Sequence, residues 1–248
     1  MLVLGISGLS YQATAALLKD GEIVAACEEA KLIGRRSPHG VPHKAIAFCL
    51  GKVGAAAEDV EGVAVDLQPL RLLGRELAFR GRKFPVAPLA SIFHGIAGLN
   101  RARLELRDLR ILRSSFPRAR FTTVEHHYAH AAYAYYPSSF DRALVITMDS
   151  GSAMRAATVS LAEADRIQRL AAAPFPHSVG LLYSEITRLL AWDPGEDVHR
   201  TVWLSAAGES EFAEVLRRAL APLRRGELRL NTDCFGHAAS GRIRLSDR

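Results

Sequence analysis

The sequence predicts an α/β protein, and three observations carry that prediction. The chain opens on a short apolar run, MLVLGIS, followed by a hairpin pattern: Ala13 to Leu18, the turn Lys19-Asp20-Gly21, then Glu22 to Cys27. The same order recurs later, where the buried-strand run Ala-Leu-Val-Ile-Thr-Met ends at Asp149. It is followed by a second hairpin, Ala156 to Leu161 and Ile167 to Ala172, across a turn at Glu163-Ala164-Asp165. Between and after these strands lie stretches with apolar residues at helical spacing, including His43 to Gly54 and the run that follows Ser178.

At 248 residues and 49% hydrophobic composition the chain can bury a large core, as one domain or as two lobes, which excludes a disordered protein. Cys27, Cys49 and Cys234 have no paired spacing and no leader pattern opens the chain, so a reduced, cytoplasmic setting is expected. No apolar run is long enough to cross a membrane, so no membrane partner is expected. The net charge of +6 is spread over arginine-rich helical stretches rather than gathered into an aromatic-interleaved patch, and nucleic acid is therefore not an expected partner.

Taken in order, the first strand ends at Ser7, and Tyr11 and Gln12 fall in the turn before the hairpin. Glu28 and Glu29 lead into Lys31, Arg35 and Arg36. A helix follows over His43 to Gly54, and Val63 to Val65, before Asp66, fits a core strand. Arg101, Arg103, Arg107, Arg110 and Arg113 interleave with leucines as an amphipathic helix with a solvated basic side. Glu209 to Leu223 reads as a further amphipathic helix.

The most specific chemistry lies between Phe121 and Ala153. His126 and His130 stand four apart in HHYAHAAYAYY, the opening turns of a helix, so their imidazoles share one face while His127 points elsewhere. Such a pair either grips a cation or lies along a helix face with its nitrogens hydrogen-bonded. Nineteen residues after His130, Asp149 arrives at a strand's C-terminal end, and two His with one Asp make a three-ligand site with open positions. Ser150, Gly151 and Ser152 then form a small-residue turn whose backbone N–H groups suit a phosphate.

The strings GISGLSYQATAALLKDGEIVAACEEAKL, VEHHYAHAAYAYYPSSF with ALVITMDSGSA, and PHSVGLLYSEITRLLAW resemble the O-carbamoyltransferases that decorate nodulation factors and antibiotics. Those enzymes share their fold with the tRNA threonylcarbamoyladenosine transferases. The resemblance implies an actin/sugar-kinase/Hsp70-like (ribonuclease-H-like) fold, with a first lobe over residues 1–140 and an incomplete second lobe over 141–248. It also implies iron, or another divalent metal, on His126, His130 and Asp149, and ATP or carbamoyl-adenylate as cofactor. A fourth metal ligand of the family, another Asp, is expected beyond the end of this sequence. The family's substrate-positioning His-Asp pair falls on Tyr11 and Gln12, and tyrosine is a poor base at neutral pH. Ser7, Gly151, Ser152, Gly180, Arg200 and Gly208 fall at nucleotide or phosphate positions, Ser178 at the cap of the helix that carries Gly180, and Arg200 where the family has Lys.

The implied activity is transfer of a carbamoyl group to a hydroxyl or amine of a small-molecule acceptor, with a partner chain or a homo-oligomer completing the fold. The competing expectation is an inactive relative that binds and regulates or stabilises an active carbamoyltransferase.

Overall fold

A computed structural model describes residues 1–9, 12–67, 73–74, 88–150, 155–224, 227–231, 235–237 and 243–245. The chain divides into two compact units, Met1–Lys83 with Ile92–His126, and Phe84–Ser91 with His127–Arg248.

The first unit is built on a five-stranded sheet. Its strands are β1 (Leu2–Ser7), β2 (Thr14–Lys19), β3 (Glu22–Glu28), β4 (Gly62–Val65) and β5 (Arg120–Thr123), in the order β3-β2-β1-β4-β5. The first three form an antiparallel meander, and β4 and β5 add in parallel beside β1. This order and these directions are those of a ribonuclease-H-like lobe, the fold expected from the sequence. Asp20 and Gly21 both take positive φ, 53° and 90°, the conformation that an Asp-Gly hairpin turn requires.

Alternation sets which face is buried. Leu4 and Ile6 pair with Leu17 and Ala15 on one side and with Val63 and Val65 on the other, so two apolar rows run across three strands. These residues are all buried, and Ala45, Ile46 and Cys49 of α2 (His43–Val53) close over them with Leu112 and Phe116. Each such aliphatic side chain contributes roughly 1.5–3 kcal/mol by leaving water. Leu112 comes from α3 (Pro88–Ser115), which contains the arginine-rich stretch.

Helix α2 has no side-chain cap of its own, because Pro42 holds the N-cap position. Its N-terminus is closed instead by Glu29, the first residue of the short helix α1 (Glu29–Ile33). The buried Glu29 carboxylate accepts Lys44 N–H at 3.1 Å and Ala45 N–H at 2.7 Å. Glu29→Ala would strand two helix-end donors and remove a favourable anion from the helix dipole. Such losses cost about 2–3 kcal/mol together, which for a chain of this size lowers the melting temperature by roughly 4–12 °C. The neighbouring Glu28, half exposed and 4.0 Å from Lys31, is the control: Glu28→Ala is expected to change stability by less than about 0.5 kcal/mol.

The second unit contains a three-stranded antiparallel sheet, β6 (Arg142–Met148), β7 (Arg155–Glu163) and β8 (Arg166–Pro174), in sequence order. Helix α4 (His126–Tyr135) buries Ala131 and Tyr135 with Val145 and Ala162. After β8 come α5 (Val179–Leu189), α6 (Val198–Ser205) and α7 (Ala213–Ala219). Two paired strand sets follow, β9 (Leu220–Arg224) with β10 (Glu227–Leu230), and β11 (Phe235–His237) with β12 (Ile243–Leu245). The helix expected over residues 209–223 is thus shorter. Pro222 lacks the N–H that a helix interior needs, and the chain from Leu220 runs as a strand. Among the described residues no helix is long and apolar enough to cross a membrane.

Candidate functional site

The parallel strands of the first sheet place their C-terminal ends side by side. Ile6 pairs with Val65 and Val65 with Thr123, so the residues just beyond, Ser7, Asp66 and those leading into α4, are brought to one edge. In open α/β sheets this is the edge where ligands bind. Asp66 N–H donates to Ile6 C=O and Val124 N–H to Val65 C=O, which fixes the backbone on either side.

At that edge His126 Nδ1 lies 2.8 Å from Asp66 Oδ2, and Ser7 Oγ donates to the same carboxylate oxygen at 3.0 Å. A carboxylate can only accept, so Nδ1 carries the proton in neutral His126 and Nε2 is the nitrogen that would ligate. The Asp66 side chain is 11% exposed and that of His126 26%. Sequence reasoning placed Ser7 near a phosphate and read Asp66 only as the end of a strand; here the Ser7 hydroxyl proton goes to Asp66.

His126 and His130 lie one helical turn apart on α4, and Asp149 follows β6 directly. One ligand atom from each of the three lies within 4.8 Å of the others. Ligands bound to one cation at about 2.0–2.2 Å stand about 4.4 Å apart when trans and roughly 3–3.6 Å apart otherwise, so the three atoms lie close together in a spacing looser than that of a bound set. Two imidazoles and a carboxylate are a donor set suited to iron, zinc or cobalt, with open positions for other ligands. The residues therefore fit the metal that the sequence motif implies.

Asp149 is held in place from several sides. Its N–H donates to Ala156 C=O at 2.8 Å, and its Oδ1 accepts from Ser150 N–H and Oγ–H. Ser178, fully buried, caps α5 by accepting Leu181 N–H at 3.2 Å, and donates its own proton to Asp149 C=O at 2.6 Å. Gly180 packs on the same turn. A Cβ there would stand 3.1 Å from Ser150 N and Cα and 3.2 Å from Asp149 C, closer than ordinary van der Waals contact. The glycine expected at a nucleotide position thus lies directly against the backbone of a candidate ligand.

His127 points away from this trio, as its place on the helix predicts. It is buried, with Nε2 3.3 Å from Arg155 C=O and Nδ1 2.8 Å from Thr147 Oγ1. The carbonyl can only accept, so Nε2 carries the proton and Nδ1 accepts from Thr147, whose oxygen accepts in turn from Thr158 at 2.7 Å.

The other expected residues are dispersed. Gln12 is exposed, with φ of 55°, and its C=O accepts from Thr14 Oγ1 at 2.9 Å. Arg200 on α6 pairs with Asp197 at 3.1 Å, and Gly208 lies in an exposed turn beyond that helix, with Ser205 C=O nearest it. Tyr11, Gly151 and Ser152 lie outside the described residues.

The family model of the carbamoyltransferase N-terminus matches residues 98–246, more than half of the chain. The uncharacterized protein sll1178 of Synechocystis sp. is 32% identical over 247 residues, covering 95% of this chain and 40% of its own. The nodulation protein NolNO of Sinorhizobium fredii is 25% identical over 212 residues, covering 77% of this chain and 29% of its own. A solved structure of YeaZ from Pseudomonas aeruginosa aligns with a TM-score of 0.39 at 14% identity, over 70% of this chain and 66% of that one. The chain spans less than half the length of both curated relatives.

Proposed function

Since the chain belongs to the carbamoyltransferase N-terminus family, we propose that it carries the metal-binding part of a carbamoyl-transfer site. The observation that supports this most is the convergence of His126, His130 and Asp149. In this reading carbamoyl-adenylate, derived from ATP, donates to a hydroxyl or amine of a small-molecule acceptor. The acceptor's oxygen or nitrogen bonds to the carbamoyl carbon, the bond from that carbon to the phosphate oxygen breaks, and AMP leaves. A divalent metal, iron by family resemblance, would supply Lewis-acid polarisation of the carbamoyl carbonyl. The protein's part is to present two imidazole nitrogens and one carboxylate oxygen from a rigid helix and a pinned turn. Gln12, where the family has a carboxylate, is no base, so the acceptor's proton passes to the departing AMP phosphate or to a base supplied with the rest of the cleft.

Synthesis of the donor and the rest of the cleft are assigned to further polypeptide or to a partner chain. An exposed apolar row on β6, Leu144, Ile146 and Met148 at 65%, 61% and 67% exposure, supports a covering partner of one of these kinds. The replacement of the family's His-Asp pair by Tyr11 and Gln12 favours a second reading, an inactive relative that binds an active carbamoyltransferase.

The test is AMP release from carbamoyl-adenylate by the purified protein with whatever co-purifies, with Fe²⁺ added and with chelator. Metal-dependent AMP release that the chelator removes supports the transferase. Metal uptake without turnover across a panel of alcohols and amines favours the inactive relative, and absence of metal uptake overturns the metal-site reading altogether.

A further inference from the structure

We infer that Asp66, steadied by Ser7, is a positioning residue that locks His126 into the tautomer able to bind metal. The inference rests on the metal-site reading proposed above but concerns residues outside the trio.

Three facts support it. Asp66 Oδ2 lies 2.8 Å from His126 Nδ1, short enough for a charge-assisted hydrogen bond. Ser7 Oγ reaches the same oxygen at 3.0 Å, so the carboxylate is oriented by a second donor rather than left to rotate. Both strand ends that carry these residues are fixed by the sheet register, Ile6 opposite Val65. The arrangement is that of a ligating histidine whose second nitrogen is held by a carboxylate, which sets ring orientation and raises ligand basicity. A nucleophilic Ser-His-Asp triad is excluded by the order of the bonds. In such a triad the hydroxyl meets the imidazole, whereas here the hydroxyl and the imidazole both donate to the carboxylate.

Asp66→Asn is the informative change. An amide can accept from Nδ1–H through its oxygen or donate to Nδ1 through its nitrogen. The second arrangement moves the proton to Nε2 and removes the ligating lone pair. Loss of such an outer partner typically weakens metal binding about 10–100-fold. Ser7→Ala removes only the brace, so a smaller loss in the same direction is expected, with the tautomer retained.

Two readouts test this on the purified protein. The first is Co²⁺ affinity, followed by the d–d absorption of the bound ion in competition with a chelator. The second is the ¹⁵N pattern of the His126 ring without metal, followed to high enough pH that the ring is seen in its neutral form. The expected result is an Nδ1–H tautomer for His126 in the wild type, an Nε2–H population gained in Asp66→Asn, and a roughly 10–100-fold weaker Co²⁺ site, with the melting temperature of the metal-free protein little changed. Equal Co²⁺ affinity in wild type and Asp66→Asn would overturn the inference while leaving the metal site intact. An Nε2–H tautomer in the wild type would overturn it as well. If neither wild type nor variant binds Co²⁺, the metal-site reading fails separately, and the tautomer measurement alone decides what Asp66 does. Should Asp66→Asn fail to fold, Ser7→Ala carries the affinity test, and an unchanged affinity there counts against the brace.

Discussion

His130→Ala is expected to abolish tight metal uptake while leaving the protein folded. His130 is exposed on α4, whose buried positions are His127, Ala131 and Tyr135, so truncating it removes no core contact. Exposed substitutions of this kind usually change stability by no more than about 0.5 kcal/mol. Removing a direct ligand is expected to exceed the roughly 10–100-fold loss that follows from disturbing an outer partner. The two quantities separate cleanly: circular dichroism and the melting temperature should match the wild type, while metal content after dialysis should fall to background. Metal retained at wild-type stoichiometry in His130→Ala would remove His130 from the site, whatever the result for turnover.

Gly180→Val should produce the other large effect, by a different route. The Cβ position is already 3.1–3.2 Å from the backbone of Asp149 and Ser150, and those atoms cannot swing aside as a long side chain would. Valine adds two γ-carbons, and overpacking of this sort costs about 1–3 kcal/mol. Because Ser178 ties the same turn to the start of α5 through Asp149 C=O, the displacement is passed directly to the candidate ligand. The variant should melt lower and bind metal more weakly. Gly180→Ala divides these outcomes: a helix gains up to about 1 kcal/mol when Gly becomes Ala, which offsets the crowding. Its stability should stay near that of the wild type while its metal affinity falls. If Gly180→Val binds metal as tightly as the wild type, the turn is more compliant than its contacts imply.

Much of this arrangement was legible in the sequence because it is written in local periods. Strands β1 to β4 follow from alternation and from the Asp-Gly turn, and α4 from its helical spacing. The trio follows from two histidines four apart and an aspartate ending an apolar strand. What local patterns could not supply is pairing at long range. Asp66 and His126 are 60 residues apart and meet because β4 and β5 lie parallel, a register that neither strand states alone. Glu29 was visible as one of two adjacent acids, but its role as the cap of α2 depends on where His43 begins a helix whose own cap position is a proline. The end of α7 was a failure of another kind: charge and apolar spacing continued past Ala219, and Pro222 outweighed them.

The neighbours His126 and His127 are held in opposite tautomers, one by a carboxylate and the other by a carbonyl. Consecutive positions on a helix point about 100° apart, so only one of two adjacent rings can share a face with His130. The other ring is also engaged by bonds of its own. The lone pair of His127 is already committed to Thr147, and its proton to Arg155 C=O, so coordination by that ring would break a buried chain of three hydrogen bonds. A sequence of two histidines that looks redundant on paper therefore encodes a division of labour, in which one ring meets Asp66 at the C-terminal edge of the first sheet and the other fastens the helix to its own sheet.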